Sequence, residues 1–441
     1  MIKTKTLAVL GNSQQACLPL GIEQEDAVTT SLNTSGTNAS QLGITFKDSL
    51  KQGPFGWYPY VEGFSADYAR SVLKELKPKR VYDPFGGSGT TCLAAGMEGI
   101  PSFYSELNPL MRFVAEVKTN TLSYLTTNKV VVKELLTDYL DRISAKDFNK
   151  TAKKTDLSQY QRAFPNRDFF VESDARELLL CLEIAQSYEA DSPRVAEMLK
   201  LAVAANAVKS SNMTRRADLR RRRDDEYKTR VVNVSQFVEE SVRRMMQDVE
   251  SFEGCIAPSI CIGNDAKDRH QKYKGYFDCI LTSPPYLNGT NYFRNTKIEL
   301  WLLGLIETEL DIRQFNKQAV AGGIDNVRSK LIEFKKFKAV EDVALKIEQT
   351  DGDRRIPNLV RQYFSDMHDV LLSVAELLHK DGAFILDIGD SKFYGVHVPT
   401  DKLLVTVAAE VGLKLDNSKI LARRHSRDKS PLVQVELMFK K

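Results

Sequence analysis

The chain has 441 residues, 42% of them hydrophobic and 27% charged, with six cysteines and a net charge of +4. That length supports one large or two ordinary domains, and no apolar run approaches the roughly 20 residues of a membrane-spanning helix. The basic start, Lys3 and Lys5 ahead of residues 7–10, has too short an apolar stretch for a secretory signal, so an intracellular, cytoplasmic protein is expected. The cysteines at 17, 92, 181, 255, 261 and 279 form no Cys-x-x-Cys pair and the five histidines are dispersed. Reduced thiols and no metal site are expected.

Residues 1–50 are rich in Ser, Thr, Asn, Gln and Gly without periodicity and read as a flexible lead-in. An aromatic run, Phe55 to Tyr60, precedes a helix over 64–76, with Ser65 and Asp67 as candidate starters. Residues 80–95 then read as a short strand, a turn with Gly86, Gly87 and Gly89, and the opening of a helix. Glycines there let the backbone approach a bound molecule closely. A phosphate loop and an adenosyl-cofactor loop are the two readings. Gly89-Thr90-Thr91 lacks the lysine of a phosphate loop, and Asp83 at the strand end suits a cationic ligand. Residues 102–108 form a second strand that ends at Glu106, a carboxylate placed to accept ribose hydroxyls.

The strand and helix alternation stops over residues 120–255, where the spacing predicts helices, including 131–143, 175–188 and a nearly all-apolar 194–209. That last helix leads into an arginine run. Over residues 211–230, seven arginines and Lys228 against four acids leave a net +4, equal to the charge of the whole chain. Arg215, Arg216, Arg220, Arg221, Arg222 and Arg223 are the candidates for contact with a phosphate backbone. A strand over 259–266 ends in Gly-Asn-Asp, with Asp265 at its tip.

The next strand, 277–282, is a buried apolar run that stops at Ser283-Pro284-Pro285-Tyr286. Each proline fixes its own φ and holds the preceding residue extended, so the Ser283 and Pro284 carbonyls become stiff acceptors. An exocyclic amino group of a nucleobase offers two N–H donors for such acceptors, and Tyr286 offers a flat face for stacking. A charged helical stretch over 308–357, a helix over 360–379, a strand over 383–391, a helix over 399–411 and two strands, 414–422 and 433–440, complete the chain.

Thr282 to Tyr286 resembles the catalytic motif of the amino-group DNA methyltransferases, in the Ser-Pro-Pro-Tyr form of the cytosine-N4 branch. Asp83-Pro84-Phe85-Gly86-Gly87-Ser88-Gly89-Thr90-Thr91 resembles the S-adenosylmethionine motif of the same family. The resemblance implies an α/β, Rossmann-like methyltransferase fold, a mostly parallel seven-stranded sheet with an antiparallel edge. The chain then divides into a lead-in (1–50), a first catalytic part (51–120), a helical insertion (121–255) that the resemblance does not cover and whose arginines make it the candidate DNA-contact region, and a second catalytic part (256–441) holding a smaller insertion over 308–357. The resemblance implies Tyr60, Phe64, Asp83, Phe85, Gly86, Gly87, Ser88, Gly89, Thr90, Glu106 and Asp265 around the cofactor, Asp265 at the adenine amino group, and Ser283, Pro284, Pro285 and Tyr286 as catalytic. It further implies double-stranded DNA with the target base flipped out, a restriction endonuclease acting separately, and neither a membrane nor a metal. Adenine-N6 enzymes more often carry Asp or Asn at the position of Ser283. Adenine-N6 transfer, RNA guanine-N2 transfer, and a non-catalytic DNA-binding protein on the same scaffold are the alternatives.

Overall fold

The computed structural model describes residues 48–441 apart from 61–62, 216–218, 228–229, 288–290, 328–333 and 426–429. The lead-in expected over 1–50 thus falls, except at its very end, outside the described residues, as does Arg216. The strands in chain order are β1 (Val81–Asp83), β2 (Ser102–Ser105), β3 (Met213–Arg215), β4 (Leu219–Arg221), β5 (Ser259–Gly263), β6 (Phe277–Thr282), β7 (Leu378–Gly389), β8 (Ser391–Phe393), β9 (Val396–Val398), β10 (Lys414–His425) and β11 (Pro431–Lys440).

Seven of them form one sheet in the order β10-β11-β7-β6-β1-β2-β5. Strands β5, β2, β1, β6 and β7 pair in parallel, while β11 runs antiparallel to both β7 and β10. The closing hairpin therefore makes the antiparallel edge, with its reversed strand one place in from the rim. This is the Rossmann-like methyltransferase fold that the sequence leads one to expect.

Parallel strands need crossover helices, and those helices cover both faces of the sheet. Along β6 the side chains alternate accordingly. Cys279 and Leu281 join one core with Val81 and Ile385, whereas Ile280 joins a second core with Tyr82, Phe384 and Leu386. The second core lies beneath the helices Ile356–Leu377 and Thr400–Glu410. On the other face Ser65 caps the helix Ala66–Leu76, its hydroxyl accepting from the Tyr68 N–H at 3.1 Å.

Among the described residues, the helical block over 121–255 shares its core with the sheet. Leu136, Leu178, Leu199 and Val242 belong to the same buried cluster as Val81 and Leu93. The arginine run differs from expectation in form: it is the β3–β4 hairpin, with Met213 paired to Arg221 and Arg215 to Leu219. Met213 and Leu219 are its buried residues, so a two-residue alternation, too short to stand out, governs the segment. At 380–382 the sequence suggests a break between helix and strand, yet β7 begins directly at Leu378. The Gly382 backbone lies so close to the Phe277 and Asp278 carbonyls that a Cβ would come within 3.0 Å of both. The turn is thereby drawn into the sheet as a register shift.

Candidate active site

The first wall of the site is the turn after β1. Gly87 and Gly89 have φ of +51° and +79°, a region that side chains disfavour. Gly86 has no room for one, since a Cβ would lie 2.8 Å from the Tyr104 ring. Asp83 holds the turn together. Its carboxylate is buried and accepts from the Phe85 N–H (3.0 Å), the Thr91 hydroxyl (2.7 Å) and the Thr282 hydroxyl (2.6 Å). Burial pushes this carboxyl up to about 6, against the opposing pull of those three hydrogen bonds. Asp83 thus joins the glycine turn to the last residue of β6, immediately before Ser283. The simple picture of a free carboxylate awaiting a cation is corrected to that of a knot between two motifs.

Glu106, just past β2, accepts from the Gly87 N–H and the Asn108 N–H, each at 2.7 Å and each on a different oxygen. One lone pair on each oxygen remains for hydroxyl donors. Burial raises this carboxyl to about 7, with the Asp83 charge adding and Arg112 opposing. Asp265 accepts from the Lys267 N–H at 3.0 Å and pairs with the Lys267 ammonium at 3.3 Å.

These groups line one cleft that encloses about 980 Å³ of space, its open mouth included. Tyr60, Phe64, Asp83, Phe85, Gly86, Gly87, Ser88, Thr90, Glu106, Asp265, Ser283 and Pro285 all face it. The glycine turn and the end of β6 share this cavity, through Gly86 and Gly87 on one side and Ser283 and Pro285 on the other. Gly89, Pro284 and Tyr286 do not line it: Gly89 starts the helix Thr90–Met97, and Tyr286 turns the other way. Tyr292, Phe293, Thr296 and residues 318–320 line the cleft as well. Among the described lining residues there are three carboxylates and neither Lys nor Arg. Such a wall repels phosphates and suits a ligand with positive charge, so the residues present fit S-adenosylmethionine, whose sulfonium and amino group are cationic.

The second wall begins where β6 ends. Tyr286 reaches across to β7, its hydroxyl donating to Asp387 Oδ1 at 3.2 Å. Gln434 on β11 donates to both oxygens of Asp387, at 2.8 and 3.0 Å. Burial raises Asp387 to about 6, opposed by these hydrogen bonds and the Arg424 charge. Its cross-strand neighbour Glu436 accepts from the Tyr68 hydroxyl at 2.6 Å. Sequence reasoning missed Asp387 and Gln434. The one available signal is an acid at the end of an apolar strand in Leu386-Asp387-Ile388-Gly389-Asp390.

The arginines divide. Arg215 turns inward: its guanidinium pairs with buried Glu299 and donates to the Asn295 carbonyl at 2.6 and 3.0 Å. Glu299 also accepts from the Tyr58 hydroxyl at 3.0 Å. Arg215 is thus a strut between the insertion and the helix Lys297–Leu302, which corrects its placement as a phosphate contact. Arg220 is held by Glu226 through two bonds of 2.9 Å, and Arg221 pairs with Asp168. Arg222 Nε is buried without a hydrogen-bond partner, and Arg223 is exposed.

No protein-family model matches the chain. It is similar to the Type II methyltransferase M.AvaI of Nostoc sp., with 22% identity over 430 residues covering 86% of this chain and 83% of that protein. The Type II methyltransferase M.BsoBI of Geobacillus stearothermophilus is also 22% identical, covering 84% and 81%. At 19% identity, the Type II methyltransferase M.MvaI of Kocuria varians covers 76% of this chain and 75% of its own length. The relatives to which this chain aligns along most of its length are Type II methyltransferases.

Proposed function

We propose that this protein is a Type II DNA methyltransferase that transfers a methyl group from S-adenosylmethionine to the N4 amino group of an extruded cytosine, as the modification partner of a separate restriction endonuclease. The observation that carries the proposal is that the acidic glycine-turn cleft and the Ser-Pro-Pro-Tyr tip meet, with Ser283 and Pro285 lining the same cavity as Gly86, Gly87 and Glu106. When bound, S-adenosylmethionine supplies an activated methyl group open to in-line displacement. Glu106 accepts from the ribose hydroxyls with its remaining lone pairs, and Asp265 accepts from the adenine amino group.

The target amine is a weak nucleophile because its lone pair is delocalised into the ring. Ser283 Oγ accepts one amino N–H and the Pro284 carbonyl accepts the other, which draws the nitrogen toward a tetrahedral arrangement. Gln434 donates to both oxygens of the neighbouring Asp387. The Asp387 carboxylate also fixes Tyr286, the stacking surface for a base that has left the duplex. Positioning and fixed dipoles supply the rate enhancement. The outward arginines, Arg223 foremost, contact the DNA backbone.

The deciding experiment is incubation of the full chain with duplex DNA and isotope-labelled cofactor, followed by mass analysis of the digested nucleosides. N4-methylcytosine is expected. N6-methyladenine would shift the target base, methylation of transfer RNA in preference to duplex DNA would change the substrate class, and no product from either would refute the activity.

A further inference from the structure

Next to the tip lies a cation that the proposed chemistry leaves unused. Arg424, near the end of β10, sets its guanidinium carbon 5.5 Å from the centre of the Tyr286 ring. Its Nη2 fits against the bare Cα of Gly389, where a Cβ would come within 1.9 Å of it. Nε and Nη2 are both buried, and neither has a hydrogen-bond partner. Asp387 feels the Arg424 charge, yet neither of these donors bonds it.

An unpaired buried donor is destabilising, and more so when charged. Nε and Nη2 lie on one edge of the guanidinium, the edge that grips two adjacent acceptors side-on. Their burial disfavours a hydrated backbone phosphate, and the Asp387 carboxylate beside them disfavours any anion. A neutral pair of neighbouring acceptors fits both conditions. Cytosine carries such a pair, N3 and O2, in line with its amino group. Adenine offers only N1 next to its own.

We propose that Arg424 reads the extruded base, its Nε and Nη2 donating to N3 and O2 of the cytosine whose amino group lies at Ser283 and Pro284. This rests on the methyl-transfer reading above and adds the residue that selects cytosine over adenine. Gly389 is the space that lets the guanidinium reach that position.

The test compares wild type with Arg424→Gln and Arg424→Lys, using unmethylated duplex DNA and labelled cofactor. Nucleoside products, DNA affinity at several salt concentrations and melting temperature are measured. Lysine keeps the charge and the stem but cannot present two parallel donors. Both variants are expected to keep the melting temperature and the salt slope of DNA binding, while cytosine methylation falls about ten- to hundredfold and the share of methylated adenine rises. Should Arg424→Gln fold poorly, Gly389→Ala displaces the guanidinium and is expected to give the same loss. Unchanged cytosine methylation overturns the proposal. So does a salt slope reduced by about one with an unchanged single-turnover rate, which marks a phosphate contact instead. A wild-type protein that yields no methylated cytosine refutes the function itself, whatever the variants do.

Discussion

The two halves of the sheet are built by different means. On the cofactor side, β1, β2 and β5 present main-chain features: glycines with no room for a side chain, and carboxylates that accept backbone N–H groups two residues away or across the turn. On the base side, β6, β7 and β11 present side chains that meet only after folding. Tyr286 lies 101 residues from Asp387, and Asp387 lies 47 from Gln434. A loop that wraps a ligand with its own backbone leaves a contiguous signature, whereas a cluster of side chains leaves scattered single letters. Asp83, bonded to Thr91 on one side and Thr282 on the other, ties the two halves together beyond the β1–β6 ladder.

Breaking the base side alone is the largest expected effect. Ser283→Ala removes the acceptor proposed for the target amine and is expected to lower single-turnover methylation by about 10²–10³-fold. Equilibrium titration should find cofactor affinity unchanged, and a parallel loss of affinity would show that the halves are not separable. Asp83→Asn attacks the junction. Because it disturbs three buried hydrogen bonds, we expect about 2 kcal/mol of lost stability in chemical denaturation, with cofactor affinity and turnover declining together.

On the cofactor side, Gly86→Ala places a methyl against Tyr104 and should weaken cofactor binding about tenfold without altering the product base. A smaller effect comes from pH. The Glu106 carboxyl is raised to about 7, so its ionised form, which has more acceptor capacity, prevails only above that value. Calorimetric cofactor affinity is expected to climb a few-fold from about pH 6 to 8, and Glu106→Gln should flatten the climb. The smallest effect belongs to Arg223→Ala, expected to reduce the salt slope of DNA binding by about one and to leave the nucleoside product unchanged.

The same contrast explains what could be read from the chain. The sheet, the glycine turn, Glu106 and the tip were legible because each rests on local periodicity or on a contiguous string. Asp387 and Gln434 were not, since long-range packing alone brings them to the site. Arg215 was misread for a related reason. A run of arginines states charge but not direction, and the two-residue alternation of β3 sends this one toward Glu299.

The insertion shares its hydrophobic interior with the catalytic sheet, Leu136, Leu178 and Leu199 packing in one cluster with Val81 and Leu93. Excising it would strip apolar surface from the enzyme itself. A transplant of the block into another protein would have to carry its sheet-facing residues along, so the block is inherited with the scaffold rather than swapped as a cassette.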